Sequence, residues 1–257
     1  MGKTWQKITN GLPAGVYVHV VKEDPMRQGL LFAGTERQIF LSFDDGDHWQ
    51  PLQLNMPVTS VRDFEIYEND LIVATHGRGF WVIDDISPLR QINDTVVKAD
   101  AHLFKPADAT FVNQGGDNGT PLQKDEPEAV NPPNGAVIDY YLKANAAGPV
   151  TLEILDASGA VVHTFSTEAT NQPAAGGRGG RGGIPNVSPL WQQSPEPFSV
   201  TAGMHRVVWT PIAATPGGGR GRGGGRGGGG TVLTGTFTAK LTVSGQSYSQ
   251  TFTVRPS

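Results

Sequence analysis

A motif that recurs after about forty residues constrains the fold of this chain more than any other feature of its sequence. Four residues reappear in the same order forty positions later: Thr35, Phe40, Asp44 and Asp45 are followed by Thr75, Phe80, Asp84 and Asp85. A second correspondence agrees: Gly2-Lys3-Thr4-Trp5 matches Gly46-Asp47-His48-Trp49, with the two tryptophans 44 residues apart. Repeats of about 40 to 45 residues are typical of β-propeller blades, each a sheet of four strands.

Short runs of β-branched and aromatic residues fill each repeat. Glycine and aspartate separate the runs GVYVHVVKED, GLLFAGTE and QIFLSFDD, and then SVRDFEIYE, DLIVATHG and GFWVIDD. This spacing predicts antiparallel strands, and no segment has a sustained helical period. The sequence therefore predicts about two propeller blades in residues 1–92. Because propellers close with about four to eight blades, we expect missing upstream blades to be partners of this segment.

The rest of the chain has a different organisation. Residues 93–135 are predicted to be a linker and crossover, because 113–135 is polar and rich in proline and glycine. About six or seven strand-like runs in residues 136–257 predict a β-sandwich. Two Gly/Arg-rich tracts, residues 174–183 and 216–230, are predicted to be loops inserted in it, because they cannot bury apolar surface. We therefore expect an all-β fold, a partial propeller followed by a sandwich.

Composition narrows the function classes. The chain has no cysteine, which excludes disulfides, zinc-thiolate sites and thiol nucleophiles. Its formal net charge is −4, but five of the 20 Lys and Arg residues lie in the two glycine-rich tracts. The remaining 15 face 24 acidic residues, a balance that disfavours nucleic acid as a partner of the folded part. No apolar run reaches the length of a membrane span.

Residues 42–49 carry the most specific motif. Ser42-Phe43-Asp44-Asp45-Gly46-Asp47-His48-Trp49 resembles the Asp-box, or BNR repeat, with the pattern SxDxGxTW; histidine stands at position 48 where threonine is usual. Ser42 and Asp44 are expected to bond to amides of the turn, and Gly46 to take a positive φ. Trp49 is expected to pack on the sheet of its own blade. We interpret these four residues as structural.

The first third of the chain is similar to the last blades of bacterial sortilin-like and glycosyl-hydrolase-like Asp-box proteins. In such proteins a phrase like Ala74-Thr75-His76-Gly77-Arg78-Gly79-Phe80-Trp81 closes the propeller. The last third, with VTLEILDASGAVVHTF and GMHRVVWTP, resembles the Ig-like domain of the flagellar hook-capping protein and its secreted relatives. The resemblance implies an immunoglobulin-like sandwich. It also implies a secreted or periplasmic protein whose signal peptide is not in this chain.

The strand order predicts a candidate ligand face. If strands run A to D in each blade, the Asp-box lies between C and D, and the B to C turns lie at the opposite end. Resemblance to sialidase-like propellers implies that this opposite end binds the ligand. The side chains expected there are His76, Arg78, Glu36 and Arg37. The alternative is structural: His76 and Arg78 join adjacent blades by hydrogen bonds and a salt link to Asp84 or Asp85.

No catalytic, cofactor or metal site is predicted. Glycoside hydrolysis needs two carboxylates about 5 to 10 Å apart. The acidic pairs of this segment belong to turns or to the solvent face of a strand: Asp44 and Asp45, Asp84 and Asp85, Asp63 and Glu65. Four histidines are scattered without the spacing of metal ligands, namely His19, His102, His163 and His205.

Three functions are compatible with these patterns. The first is a non-catalytic scaffold or binding portion of a secreted Asp-box propeller protein, with a carbohydrate or peptide as ligand. The second is the C-terminal part of a glycoside hydrolase whose catalytic residues lie mostly upstream. The third is an RGG-type nucleic-acid binder, which the absence of aromatic residues from both tracts disfavours.

Overall fold

The structure is a computed structural model that describes residues 2–52, 54–112, 132–167, 197–213 and 231–257. Strands dominate this part of the chain, and two compact units divide it, Met1–Val97 and Lys98–Ser257. The predicted fold class is confirmed: the chain is all-β, with about two propeller blades followed by an immunoglobulin-like sandwich. The two Gly/Arg-rich tracts, predicted to be inserted loops, lie outside the described residues.

A four-stranded antiparallel sheet, the first blade, opens the first unit. Its strands pair in chain order: β1 (Val18–Glu23), β2 (Leu31–Thr35), β3 (Ile39–Ser42) and β4 (Gln50–Pro51). Every residue of β2 and β3 is buried. Because successive residues of a strand point to opposite faces, both faces of this sheet must be covered. One face carries the cluster Leu31, Ala33, Phe40 and Trp49.

A three-stranded antiparallel sheet, the second blade, follows. Its strands are β5 (Val61–Tyr67), β6 (Asp70–Thr75) and β7 (Phe80–Ile83). A 3₁₀ turn, Leu89–Gln91, and the short helix α1 (Asp94–Lys98) come after it. Residues 2–7 contain the predicted remnant of a preceding blade, but they form no strand, and the Trp5 side chain is 91% exposed.

The two blades share one hydrophobic core. Phe32 and Leu41 of the first sheet meet Phe64, Leu71 and Val73 of the second. The rings of Phe32 and Phe64 contact edge to face, with centroids 6.3 Å apart. Phe32 and Leu41 lie on the face of the first sheet opposite Trp49, so the second blade covers one face of the first blade.

Glycine is required at position 34, where β2 packs against side chains of both blades. A Cβ on Gly34 of β2 would lie 2.7 Å from the Cγ1 atoms of both Val20 and Val61. Val20 belongs to β1 and Val61 to β5, so the contact joins the two blades. A side chain at this position would push the sheets apart, because protein cores leave no space of that size.

The two blades are offset by one residue after their second strand. In the first sheet Phe40 pairs with Ala33; in the second, Trp81 pairs with Val73, forty residues after Ala33. The sequence correspondence of Phe40 with Phe80 is therefore wrong in strand register, because Trp81 takes the position of Phe40. Phe80 takes the position of the residue before Phe40.

The turn before β7 causes this offset. Thr35 N donates to the carbonyl of Gln38, three residues later, whereas Thr75 N donates to the carbonyl of Gly79, four residues later. The second turn thus holds one more residue than the first. A gap-free comparison of the two sequences cannot detect this extra residue.

A buried ion pair joins the two blades at one end. Arg90 Nε donates to both oxygens of the Asp24 carboxylate, at 3.1 and 2.9 Å, and the Asp24 side chain is fully buried. The terminal nitrogens of Arg90 donate to Asn69 Oδ1 at 2.6 Å and to the carbonyl of Glu68 at 2.7 Å. Asp24 lies between β1 and β2, and residues 68 and 69 lie between β5 and β6. Arg90 therefore fixes these two connections to each other.

The second unit is the sandwich. Its strands are β8 (Ala101–Leu103), β9 (Ala109–Phe111), β10 (Ala136–Leu142), β11 (Val150–Leu155), β12 (Val161–Ser166), β13 (Gly203–Trp209), β14 (Gly235–Val243) and β15 (Gln246–Pro256). One sheet has the order β13-β10-β8 and the other β12-β11-β14-β15-β9. Their inner faces form one core, in which the rings of Trp209, Phe237 and Phe252 contact one another.

Two of these strands come from residues 93–135, which the sequence pattern predicts to be a linker and crossover. β8 pairs with β10, and β9 pairs in parallel with β15. The linker assignment needs correction at these strands. Each has only three residues, too few to show an alternating pattern in the sequence. Within the same range, residues 113–131 lie outside the described part of the chain.

Candidate functional site

We call residues 42–49, whose sequence resembles an Asp-box, the Asp-box turn; this turn connects β3 to β4. The buried Ser42 Oγ accepts a hydrogen bond from Gly46 N at 2.9 Å and donates one to Asp44 Oδ1 at 2.7 Å. Asp44 Oδ1 also accepts from His48 N at 2.9 Å. Gly46 has a φ of 91°, which other residues rarely adopt. The two side chains thus supply acceptors for turn amides that have no partner strand.

His48 stands where the Asp-box pattern has threonine. Its Nδ1 lies 2.7 Å from Asp44 Oδ2, so the imidazole supplies a side-chain hydrogen bond at this position. Burial acts to raise the pKa of Asp44, but hydrogen bonds from His48 N, Ser42 Oγ and the imidazole outweigh it, and the pKa is lowered. Asp44 is therefore a charged part of the turn and is poorly suited to act as a catalytic acid.

Trp49 anchors the N-terminal segment to the first blade. It is 6% exposed and packs on Leu31, Ala33 and Phe40. Its indole Nε1 donates to the carbonyl of Ile8 at 2.9 Å, and its backbone N donates to the carbonyl of Asn10 at 2.8 Å. The Asp-box turn thus holds together β3, β4 and the residues that precede β1.

The turns between β2 and β3 and between β6 and β7 lie at the end opposite the Asp-box, because consecutive strands of each blade are antiparallel. Both begin with a threonine whose hydroxyl donates into the turn. Thr35 Oγ1 donates to the carbonyl of Gln38 at 2.8 Å, and Thr75 Oγ1 to that of Gly79 at 2.7 Å. The two turns have related construction despite their different lengths.

The connection between the blades brings these two turns together. Thr59 N donates to the carbonyl of Arg37 at 3.0 Å, and Thr59 Oγ1 lies 3.4 Å from the carbonyl of His76. His76 N donates to the carbonyl of Ser60 at 2.8 Å. In the first blade Glu36 N makes the corresponding bond, to a residue just before β1. We call residues 35–39, 59–60 and 75–80 the turn face.

Four charged or titratable side chains of the turn face are those predicted from the sequence. Arg37, His76 and Arg78 are exposed, and Glu36 is half-buried. Arg37 Nε lies 3.8 Å from Glu36 Oε1. Arg78 contributes its backbone to the fold, since its carbonyl accepts from the Trp81 indole at 3.0 Å. The structure therefore uses the backbones of His76 and Arg78 to hold the turns and leaves both side chains exposed.

Sequence reasoning missed the neighbours of these residues. Glu36 N donates to the carbonyl of Tyr17 at 3.1 Å, and the Tyr17 side chain is 71% exposed. His19 Nε2 lies 3.3 Å from Ser60 Oγ. Each of these residues lies near the start of the first strand of a blade, and that position in the repeat was the signal available in the sequence.

The acidic pair Asp63 and Glu65 lies on β5 beside Lys22. Lys22 Nζ is 2.8 Å from Glu65 Oε2 and 3.2 Å from Asp63 Oδ1. The hydrogen bond to Glu65 raises the pKa of Lys22, and that from Phe64 N lowers the pKa of Asp63, with Lys22 adding to the effect. Both carboxylates are exposed and paired with the ammonium, so neither is suited to donate a proton.

The described ranges contain neither a cluster of metal ligands nor a membrane-spanning helix. No group of three or more His, Asp or Glu residues there is arranged to hold a metal ion. No helix in those ranges is long and apolar enough to cross a membrane.

Comparison with known proteins leaves the family open. No protein-family model matches the chain. No curated protein is significantly similar to it. One similar solved structure is the extracellular domain of a B. thetaiotaomicron protein described as a one component system, with 8% identity and a TM-score of 0.25 over 98% of this chain and 27% of that one. Another, described as a hybrid two component system of the same organism, has 6% identity and a TM-score of 0.22 over 95% and 25%. The chain spans about a quarter of the length of both structures.

Proposed function

We propose that this chain is a non-catalytic portion of a secreted Asp-box propeller protein and that its turn face binds a carbohydrate. One observation carries the proposal: Thr59 and Ser60 bond to the turns of both blades, so that Glu36, Arg37, His76 and Arg78 share one end of the unit. Exposed polar side chains held on a rigid backbone are a common form of binding site.

The chemistry of the turn face suits sugar hydroxyls. The Glu36 carboxylate accepts hydrogen bonds, while the guanidinium groups of Arg37 and Arg78 present several donors in a fixed plane. Tyr17, whose carbonyl accepts a hydrogen bond from Glu36 N, adds an exposed aromatic residue next to Glu36. A ring face combined with a few directed polar groups matches a pyranose, which has an apolar face and a polar rim.

The same residues argue for binding without hydrolysis. Glycoside hydrolysis requires two carboxylates on either side of the scissile bond. Within the turn face the sequence supplies one, Glu36. Asp44 of the Asp-box turn lies at the other end of the blade, and its carboxylate accepts hydrogen bonds from His48 N and Ser42 Oγ. The scaffold role follows from this division, because the Asp-box stabilises the blade whose opposite end presents the ligand-binding groups.

A glycan array probed with the full chain, followed by calorimetric titration of the best ligand, tests the proposal. We expect Arg78→Ala and Glu36→Gln each to weaken binding about tenfold, the effect of losing one hydrogen bond to a charged group. The Arg78 side chain is exposed and the half-buried Glu36 carboxylate faces the exposed Arg37, so the melting temperature should change little.

Glu68→Gln is the matched control. Glu68 lies between β5 and β6, at the opposite end of the second blade, and only its carbonyl has a hydrogen bond to Arg90. This variant should bind like the unmodified chain. Failure to bind any glycan, or equal loss from Glu68→Gln and Glu36→Gln, would contradict the proposal. Cleavage of the bound glycan would establish the glycoside hydrolase alternative instead.

A further inference from the structure

The second blade has no fourth strand within the described residues. In the first blade β3 pairs with β4, with Leu41 opposite Gln50 and Phe40 opposite Pro51. β7 occupies the same place in the second blade and pairs with β6 alone. One edge of β7 therefore presents backbone N–H and C=O groups able to pair with another strand.

An apolar groove lies beside this unpaired edge. Val73, Trp81 and Ile83 of the second sheet line it, together with Leu52 and Met56 from the segment after β4. Val73 and Trp81 are the register equivalents of Ala33 and Phe40, two of the first-blade residues on which Trp49 packs. The groove thus occurs where the repeat places the tryptophan of a fourth strand.

The N-terminal segment has the sequence of a fourth strand but forms none. Gly2-Lys3-Thr4-Trp5-Gln6-Lys7 corresponds to Gly46-Asp47-His48-Trp49-Gln50-Pro51, the end of the Asp-box and β4. Trp5 is 91% exposed, against 6% for Trp49. We call residues 2–7 the N-terminal arm. A large exposed indole costs free energy in water, which burial in an apolar groove would recover.

The N-terminal arm and the groove lie on opposite faces of the first sheet of the same chain. The residues that follow it, Ile8 and Asn10, are bonded to Trp49, on the face that carries Leu31 and Ala33. The second blade packs on the opposite face of the same sheet. The first sheet therefore separates the start of the arm from the groove.

We propose that the N-terminal arm of a second copy of this chain adds to β7 as the fourth strand of the second blade and inserts Trp5 into the groove. Backbone pairing gives such strand addition its affinity, and the side-chain pocket gives its specificity. Arm and edge are different surfaces, so the contact is head-to-tail and propagates to a ring or an open chain of copies.

Engineered cysteines test the predicted register, since the chain has none of its own. The pairing of Leu41 with Gln50 in the first blade places Gln6 of the arm opposite Val82 of β7. A chain with Val82→Cys mixed with a chain carrying Gln6→Cys should form a disulfide-linked dimer under mild oxidation. Tyr67→Cys, at an exposed position on the opposite edge strand β5, replaces Val82→Cys in the control mixture and should not cross-link.

Light scattering across a concentration series gives a second readout. The mass of the unmodified chain should rise with concentration, and Trp5→Ala should weaken this association by about 30-fold or more, as expected for an aromatic anchor. Because Trp5 is exposed in the single chain, its removal should leave the unfolding transition unchanged. A peptide of residues 2–9 should compete with the cross-link, and the same peptide with Trp5→Ala should not.

Two outcomes would overturn the proposal. The first is a cross-link yield in the Val82→Cys and Gln6→Cys mixture no higher than in the Tyr67→Cys control. The second is a disulfide formed within a monomer when both cysteines are placed in one chain, because the arm would then close on its own second blade.

Discussion

Replacing Arg90 by alanine tests whether its ion pair with Asp24 holds the two blades together. The substitution leaves the fully buried Asp24 carboxylate with the backbone amides of Met26 and Arg27 as hydrogen-bond donors, at 2.9 and 2.8 Å. Removing one partner of a buried ion pair costs about 3 to 5 kcal/mol. Since two amides still support the carboxylate, we expect a loss of about 3 kcal/mol in the free energy of unfolding.

Differential scanning calorimetry of the full chain measures this loss. For a unit the size of Met1–Val97, 1 kcal/mol corresponds to about 4 to 8 °C in melting temperature, so the first unit should melt about 12 to 24 °C lower. The sandwich provides an internal reference, because Arg90 has no role in its core.

Two further variants sharpen the result. Arg62→Ala removes an exposed arginine of β5 and should change stability by less than about 0.5 kcal/mol. Arg90→Lys keeps the charge but loses the planar fork that reaches Asp24, Asn69 and Glu68 together, so it should recover only part of the loss. An Arg90→Ala effect below about 1 kcal/mol would refute the reasoning, since that is the range of exposed pairs.

Three other predictions follow from the fold. Gly34→Ala should destabilise the first unit by about 1 to 3 kcal/mol because of overpacking, whereas Gly148→Ala, whose Cβ would meet its nearest neighbour at 3.7 Å, should be nearly neutral in chemical denaturation. The pKa of Asp44 is lowered in the folded state, so the ionised carboxylate stabilises the fold above the unfolded pKa, and this stability is lost as pH falls through the folded pKa. Asp44→Asn should therefore reduce the fall in melting temperature that the chain shows below about pH 4. Tyr140→Phe should cost the sandwich about 1 to 3 kcal/mol in urea unfolding, because its hydroxyl donates to the carbonyl of Ser199 at 2.6 Å and accepts from Ser199 N at 3.1 Å.

The strands of both units could be predicted because their patterns are local. In β11 buried and half-buried residues alternate from Val150 onward, the pattern of a strand with one face in a core. The Asp-box turn could be predicted for the same reason, since Ser42, Asp44 and Gly46 interact within one turn. The turn face followed from strand order alone, and its residues were identified by position in the repeat.

The remaining features depend on contacts that no local pattern encodes. Arg90 and Asp24 are 66 residues apart, and nothing in the sequence around either residue indicates a partner. The extra residue before Gly79 shifts β7 by one position, which only the strand pairing reveals. β8 and β9 are strands because of the sheets they join, since three residues have too little propensity to specify a strand.

The bonds that hold the turn face together run largely between backbone atoms: Thr59 N to the carbonyl of Arg37, and His76 N to the carbonyl of Ser60. Bonds of this kind do not depend on which side chain a position carries. Residues 36, 37, 76 and 78 are thus free to change chemistry without loss of folding, while Asp24 and Arg90 at the far end are not. The proposed binding surface can therefore change by single substitutions while the backbone bonds beneath it stay the same.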